Sequence, residues 1–241
     1  MIAMKPIYEP KARAKEYGDL AINIYTGCPH NCFYCFAPAV LHRKKEDFCN
    51  HVEPRKGIVE AVKRQLDKEH ITGKLIHLCF TCDPYPHGYD HSATRKIIEA
   101  IKAASNHVQI LTKNGINAIS DFDLLDSEDW FGVTYAGYKN LEVPASEPNA
   151  GSPYYRLCAL REAHELGIHT WVSCEPVLDA EDVLHLIEKG SYIDKFKIGK
   201  LNYHPSGINW KAFGKAAEVA CKKYHRNYYI KDDLRKEMEK A

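Results

Sequence analysis

Short runs rich in β-branched and aromatic residues alternate with longer segments whose apolar positions recur every three or four residues. The β-type runs fall at 20–24, 75–80, 108–112, 130–135, 169–173 and 196–198. Between them lie amphipathic stripes: Ile58, Val62 and Leu66, then Ile97, Ile98 and Ile101, then Leu157, Leu160 and His164, and finally Trp210, Phe213, Ala217 and Cys221. Strict alternation predicts βαβ units with right-handed crossovers and a parallel sheet. Six units are too few to close an eight-stranded barrel, so an open, partial (β/α)6 TIM-type barrel fits best, with a doubly wound open sheet as the alternative. Both place chemistry at the C-terminal ends of the strands.

No repeat, low-complexity tract or Gly/Ser linker interrupts the pattern. The chain reads as one domain over 1–241, with a core at about 20–200 and a C-terminal helical extension at 209–241. The proline-rich stretch 143–153 reads as a long loop after the fourth strand. The charged tail 231–241 reads as a solvated terminal helix.

Composition narrows the class. The chain has 241 residues, 45% hydrophobic and 27% charged, the balance of a globular protein rather than a disordered or fibrous one. No apolar run approaches the roughly 20 residues of a membrane-spanning helix, and the first residues carry charges where a signal peptide would be apolar, so we expect a cytoplasmic protein without membrane contact. The formal net charge of +1 supplies no global field toward nucleic acid, so any basic footprint is local. Two candidates are His42-Arg43-Lys44-Lys45, and Lys222-Lys223 with Arg226. Tyr85 and Tyr89 could stack a base beside the first. Nine cysteines point away from a disulfide scaffold and toward metal or redox chemistry.

Three of those cysteines carry the strongest signal. Cys28, Cys32 and Cys35 lie within eight residues directly after the first strand, close enough to converge on one metal centre. They are one short of the four that fully ligate an ordinary [4Fe–4S] cluster, which would leave one iron open. The competing readings are a zinc site completed by His30, Cys49 or His51, an electron-transfer cluster with a distant fourth cysteine, and three unrelated thiols. Zinc sites usually show two separated ligand pairs, and ferredoxin-like runs a nearby fourth cysteine, so the spacing favours the three-cysteine cluster.

The pattern Cys-x3-Cys-x2-Cys, with an aromatic residue, Tyr34, before the third cysteine, resembles the signature of the radical S-adenosylmethionine enzymes. Further runs resemble their spore photoproduct lyase-related branch: Thr81-Cys82-Asp83-Pro84-Tyr85-Pro86, Leu111-Thr112-Lys113, Glu147-Pro148, Arg156-Leu157 and Glu175-Pro176-Val177. The resemblance covers about 22–200, and full spore photoproduct lyases are longer. It implies a partial (β/α)6 barrel, a [4Fe–4S] cluster on Cys28, Cys32 and Cys35, and S-adenosyl-L-methionine on the open iron. A 5′-deoxyadenosyl radical would abstract a substrate hydrogen, with electrons from a donor such as flavodoxin or ferredoxin.

The resemblance also assigns expectations to single residues. Tyr34, Thr81, Asp83, Lys113, Thr134 and Glu175 become cosubstrate contacts: Asp83 for the amino group, Lys113 with Thr134 for the carboxylate, Glu175 for ribose hydroxyls. Four of them have a plain structural reading beside that role: Asp83-Pro84 opens turns, Lys113 is a solvated loop lysine, Thr134 is an ordinary strand residue, and Glu175 pairs with Lys200. Glu147 and Arg156 read as a salt bridge at the mouth. Counting back from Asp83, the branch's hydrogen-donating cysteine falls on Phe80. Of the flanking Cys79 and Cys82, strand alternation favours Cys82 as a catalytic residue, against a buried inert thiol. A nucleic acid is the first substrate expectation, a peptide or small metabolite the second, and a non-enzymatic iron–sulfur or zinc protein the third.

Overall fold

The computed structural model describes residues 5–138 and 144–240, so Val143 of the expected proline-rich loop lies outside the described residues. Seven strands form one parallel sheet in chain order: β1 (Leu20–Ile22), β2 (Leu75–Leu78), β3 (His107–Thr112), β4 (Trp130–Thr134), β5 (His169–Cys174), β6 (Lys195–Ile198) and β7 (Tyr228–Ile230). The helices are α1 (Ala37–Val40), α2 (Lys45–Asn50), α3 (Ile58–Lys68), α4 (Ser92–Ala103), α5 (Gly115–Ala118), α6 (Pro153–Glu165), α7 (Ala180–Lys189), α8 (Trp210–Lys223) and α9 (Asp232–Glu239). β1 and β7 are the two edges, so the barrel is open between them.

The two faces of the sheet decide between the barrel and the doubly wound alternative. Ile22, Ile76, Ile110, Val133, Val172, Phe196 and Ile198 alternate onto one face, are sealed from solvent, and share one core with the helices. Each contributes about 1.5–3 kcal/mol by burial. The intervening positions carry His77, Gln109, Ser173, Lys197 and Tyr229, in register across neighbouring strands. A sheet covered by helices on both sides would be apolar on both. Here the second face is a polar barrel interior.

Three sequence expectations change. β1 and β2 stop at Ile22 and Leu78, two residues earlier than the periodicity suggests. Asn23 turns its Oδ1 onto the N–H groups of Phe80 and Thr81, both at 2.8 Å, and a side chain there replaces the ladder. The span expected to be a helical extension contains β7, which pairs Ile230 with Ile198. The charged tail is docked as well as solvated: Leu234 is fully buried, and Met238 lies where a side chain on Gly214 of α8 would stand.

The gap between β1 and β7 is filled by the chain's own N-terminal segment. Tyr8 exchanges backbone hydrogen bonds with Ala21 at the β1 edge, 3.0 and 2.9 Å. After a 3₁₀ turn over Ala12–Tyr17, Glu16 accepts from Tyr229 Oη and from the Asp232 N–H, and its carbonyl accepts from Lys197 Nζ at 2.6 Å. The Tyr17 ring then enters the lumen against His77, Phe80 and Trp171. Burial pushes Lys197 down to about 7, with Lys195 and Lys231 adding to it, and pushes His77 down to about 3. Trp171 donates to the Ile110 carbonyl at 2.9 Å, and its indole fills the space a Cβ on Gly132 would need.

Candidate functional site

The cysteine loop leaves the C-terminal end of β1 and is fastened from several sides. Gly27 packs so closely on α2 that a Cβ would lie 2.1 Å from the Phe48 carbonyl oxygen. Cys28 N–H donates to that same oxygen at 3.2 Å. Arg43 donates to the Thr26 carbonyl and Lys45 to the Cys32 carbonyl at 2.8 Å. Two members of the first basic run therefore hold the loop. On the far side, Phe33 N–H donates to Ser146, Asn149 N–H to the His30 carbonyl, and Asn149 Nδ2 to the Pro29 carbonyl at 3.0 Å.

Cys28 and Cys35 are half-buried, Cys32 is buried, and all are free thiols. Burial pushes the Cys28 thiol well up and the Cys32 thiol up to about 12. Thiolates form in such surroundings together with the positive charge of a bound metal. The residues that could complete a zinc site face elsewhere: His30 Nδ1 toward Asp83 at 3.5 Å, Cys49 Sγ toward Asn31 at 3.8 Å, and His51 Nδ1 toward Asp47 at 2.8 Å. Each candidate fourth ligand for zinc is thus engaged with another partner, and the three thiols remain as the donor set, which suits a cluster held by three cysteines.

Around the loop stand several of the expected contacts. Tyr34 donates its hydroxyl to Glu147 Oε1. Lys113 Nζ lies 5.7 Å from the centre of the Tyr34 ring and, among the described residues, takes no hydrogen bond or ion pair. Asp83 is buried and occupied: Oδ1 accepts from Thr112 Oγ1 at 2.6 Å and from Tyr85 N–H at 2.9 Å, and Oδ2 accepts from Lys113 N–H at 2.8 Å. It ties the β2 and β3 ends together. Burial pushes the neighbouring His30 down to about 4 against the pull of Asp83, so the imidazole stays neutral.

Thr81 is positioned by Asn23, and its buried Oγ1 has no partner among the described residues. Thr134 closes β4, with its carbonyl accepting from Arg156 Nη1 at 3.1 Å. Cys82 lies beyond β2 rather than on it, so strand alternation does not orient it; its Sγ accepts from Tyr25 N–H at 3.4 Å.

Glu175 belongs to a second cluster. Its Oε2 accepts from Tyr17 Oη at 3.0 Å and from Lys231, and its Oε1 from Asn202 at 3.3 Å. The expected Glu175–Lys200 pair is not formed; Lys200 pairs with Glu237 on α9. Glu147 and Arg156 do pair, at 2.6 Å, with both side chains wholly buried.

Tyr17, Asn23 and Lys231 are not singled out by the sequence, and His30 enters there only as a possible zinc ligand. His30 carried a signal, since it sits inside the cysteine motif. Lys231 had none, because β7 hides in a charged segment.

Comparison with known proteins places this architecture. A spore photoproduct lyase variant, with bound S-adenosylmethionine and dinucleoside spore photoproduct, superposes with a TM-score of 0.67 at 15% identity, over 92% of this chain and 78% of that one. This chain has the radical S-adenosylmethionine fold. A second protein with this fold, SuiB of Streptococcus suis bound to S-adenosylmethionine, gives a TM-score of 0.60 at 12% identity, over 87% of this chain and 49% of SuiB. An uncharacterized protein of Methanocaldococcus jannaschii is 27% identical over 233 residues, 95% of this chain and 84% of the relative. An uncharacterized protein of Acidianus two-tailed virus is 30% identical over 183 residues, 70% of this chain and 60% of the viral protein. This chain thus spans about half of SuiB and three fifths of the viral relative. No family model matches it. Among the described residues, no helix is long and apolar enough to cross a membrane.

Proposed function

We propose that this chain is a radical S-adenosylmethionine enzyme that holds a [4Fe–4S] cluster on Cys28, Cys32 and Cys35. S-adenosylmethionine would bind the iron these cysteines leave open. The observation that carries the reading is a loop of three free thiols at the end of β1 on this fold. When bound and reduced, the cluster and cosubstrate supply a 5′-deoxyadenosyl radical that takes a hydrogen atom from the substrate.

The chain's own residues orient and exclude. Lys113, the ammonium beside Tyr34 with no partner among the described residues, suits the cosubstrate carboxylate, with Thr134 near by. The unpartnered Thr81 hydroxyl suits a polar group of the same ligand. Asp83, already holding three donors, acts mainly by fixing Lys113 and His30. Glu175 reaches a ribose only if Lys231 and Tyr17 yield it. Electrons would come from a small donor such as flavodoxin or ferredoxin, and nine free cysteines suit a reducing cytoplasmic setting.

For the substrate we infer a nucleic acid. Phe33, Phe36 and Tyr203 are exposed, Phe33 lies against His204, and such rings can stack a base. The opposing observation is that Arg43 and Lys45 are engaged in holding the cysteine loop, which favours a peptide or small metabolite. The test is 5′-deoxyadenosine yield from the reconstituted, reduced enzyme with S-adenosylmethionine. Parallel reactions contain ultraviolet-irradiated DNA, untreated DNA, single-stranded RNA or a peptide pool. Stimulation confined to nucleic acid is expected; stimulation by peptides alone would overturn the substrate reading and leave the radical chemistry standing.

A further inference from the structure

Two cysteines outside the motif share one short bend. Cys79-Phe80-Thr81-Cys82 follows β2 directly, and the Asn23 side chain pins the Phe80 and Thr81 N–H groups at 2.8 Å each. The spacing is Cys-x-x-Cys in a βαβ setting, the arrangement of dithiol redox sites. The two thiols lie at the two ends of this one bend and are not equivalent. Cys79 is buried, and burial together with Cys82 pushes its thiol well up. Cys82 is half-buried and accepts from Tyr25 N–H at 3.4 Å; burial raises its thiol, but the Cys79 side chain, then Tyr25 N–H and Ile24 N–H, lower it overall. Cys82, the more exposed sulfur and the one that faces a backbone donor, is thus placed to attack first, and the buried Cys79 to follow.

We propose that Cys79 and Cys82 form a redox-active dithiol that reacts with low-molecular-weight disulfides and closes to a Cys79–Cys82 disulfide. The Cys82 thiolate attacks one sulfur of the small disulfide, forming a mixed disulfide and releasing one thiolate. Cys79 then loses its proton to solvent and attacks Cys82 Sγ, releasing the second thiolate. Two protein thiols are oxidised, and one small disulfide is reduced to two thiols. The reverse exchange with reduced thiols reopens the pair. Closure draws Cys82 Sγ toward Cys79 and away from Tyr25 N–H, three residues before Cys28, so the redox state of the pair reaches the cysteine loop. The proposal needs neither the cluster nor the cosubstrate, and it stands or falls apart from the function proposed above.

The sequence offers a direct readout. Trypsin cuts after Lys74 and Arg95, and the peptide between them contains Cys79 and Cys82 and no other cysteine. Folded protein is equilibrated anaerobically with mixtures of reduced and oxidised glutathione, quenched in acid, alkylated with N-ethylmaleimide and mapped by mass spectrometry. The wild-type peptide is expected to change from doubly alkylated to unalkylated and lighter by two hydrogens as the mixture becomes oxidising. Cys79→Ser is expected to trap glutathione on Cys82, and Cys82→Ser to leave Cys79 unmodified, with folding of both checked by circular dichroism. A wild-type peptide that stays doubly alkylated in oxidised glutathione overturns the proposal whatever the variants do. So does glutathione on Cys79 in Cys82→Ser to the extent found on Cys82 in Cys79→Ser.

Discussion

Arg156 donates from Nη2 to Glu147 Oε2 at 2.6 Å, and neither side chain reaches solvent. The pair does more than neutralise itself. Arg156 also holds the Thr134 carbonyl at the end of β4 and the Tyr138 hydroxyl, and Glu147 receives Tyr34 from the cysteine loop. Replacing Arg156 by Met strands a buried carboxylate, which costs about 3–5 kcal/mol. Urea unfolding should show that loss, with a smaller one for Glu147→Gln. An unchanged midpoint for Arg156→Met would remove the pair from its anchoring role.

Gly27 gives a sharper test of the loop. Gly27→Ala places a methyl 2.1 Å from the Phe48 carbonyl oxygen, so loop or α2 must move, whereas nothing lies within 4 Å of a Cβ on Gly18. After anaerobic reconstitution, Gly27→Ala should retain less than half the wild-type iron while keeping its far-ultraviolet circular dichroism; Gly18→Ala should match wild type. Equal iron in both would show that the close approach is dispensable.

Cys49 distinguishes a three-cysteine cluster from a four-cysteine one. Its thiol turns to Asn31, and burial pushes it up, so Cys49→Ser should bind iron and sulfide as wild type does. Loss of iron comparable to that in Cys35→Ala would make Cys49 a ligand and close the iron assigned to the cosubstrate.

Lys197 predicts a pH dependence. Its folded value, about 7, is lower than that of the unfolded chain, so between pH 7 and 10 the unfolded chain holds more protons there and stability rises with pH. Lys197→Met removes this contribution. The stability difference, wild type minus variant, should grow across that window by up to about 1.4 kcal/mol per pH unit, measured by urea unfolding at several pH values. A flat difference would mean that the buried amine stays charged throughout.

The architecture was legible because inner and outer positions of each strand differ so plainly: Ile76 and Leu78 outward, His77 inward. β7 was not, since three residues between Arg226 and Lys231 carry too short a pattern, and only pairing with β6 makes them a strand. The three thiols were legible from spacing. The roles of Asp83 and Glu175 were not, because a carboxylate in sequence does not reveal its donors. Thr112 and Tyr85 reach Asp83 from nearby elements, and Tyr17 and Lys231 reach Glu175 from the two ends of the chain.

A cluster with one iron open to S-adenosylmethionine changes its electronic surroundings when that molecule binds. Electron paramagnetic resonance of the reconstituted, reduced protein, recorded with and without S-adenosylmethionine, tests it most directly. Wild type is expected to give a reduced [4Fe–4S] signal whose g-values shift when S-adenosylmethionine is added, and Cys32→Ala to lose that signal. A cluster signal that S-adenosylmethionine leaves untouched, or iron-free protein that folds around zinc, would contradict it.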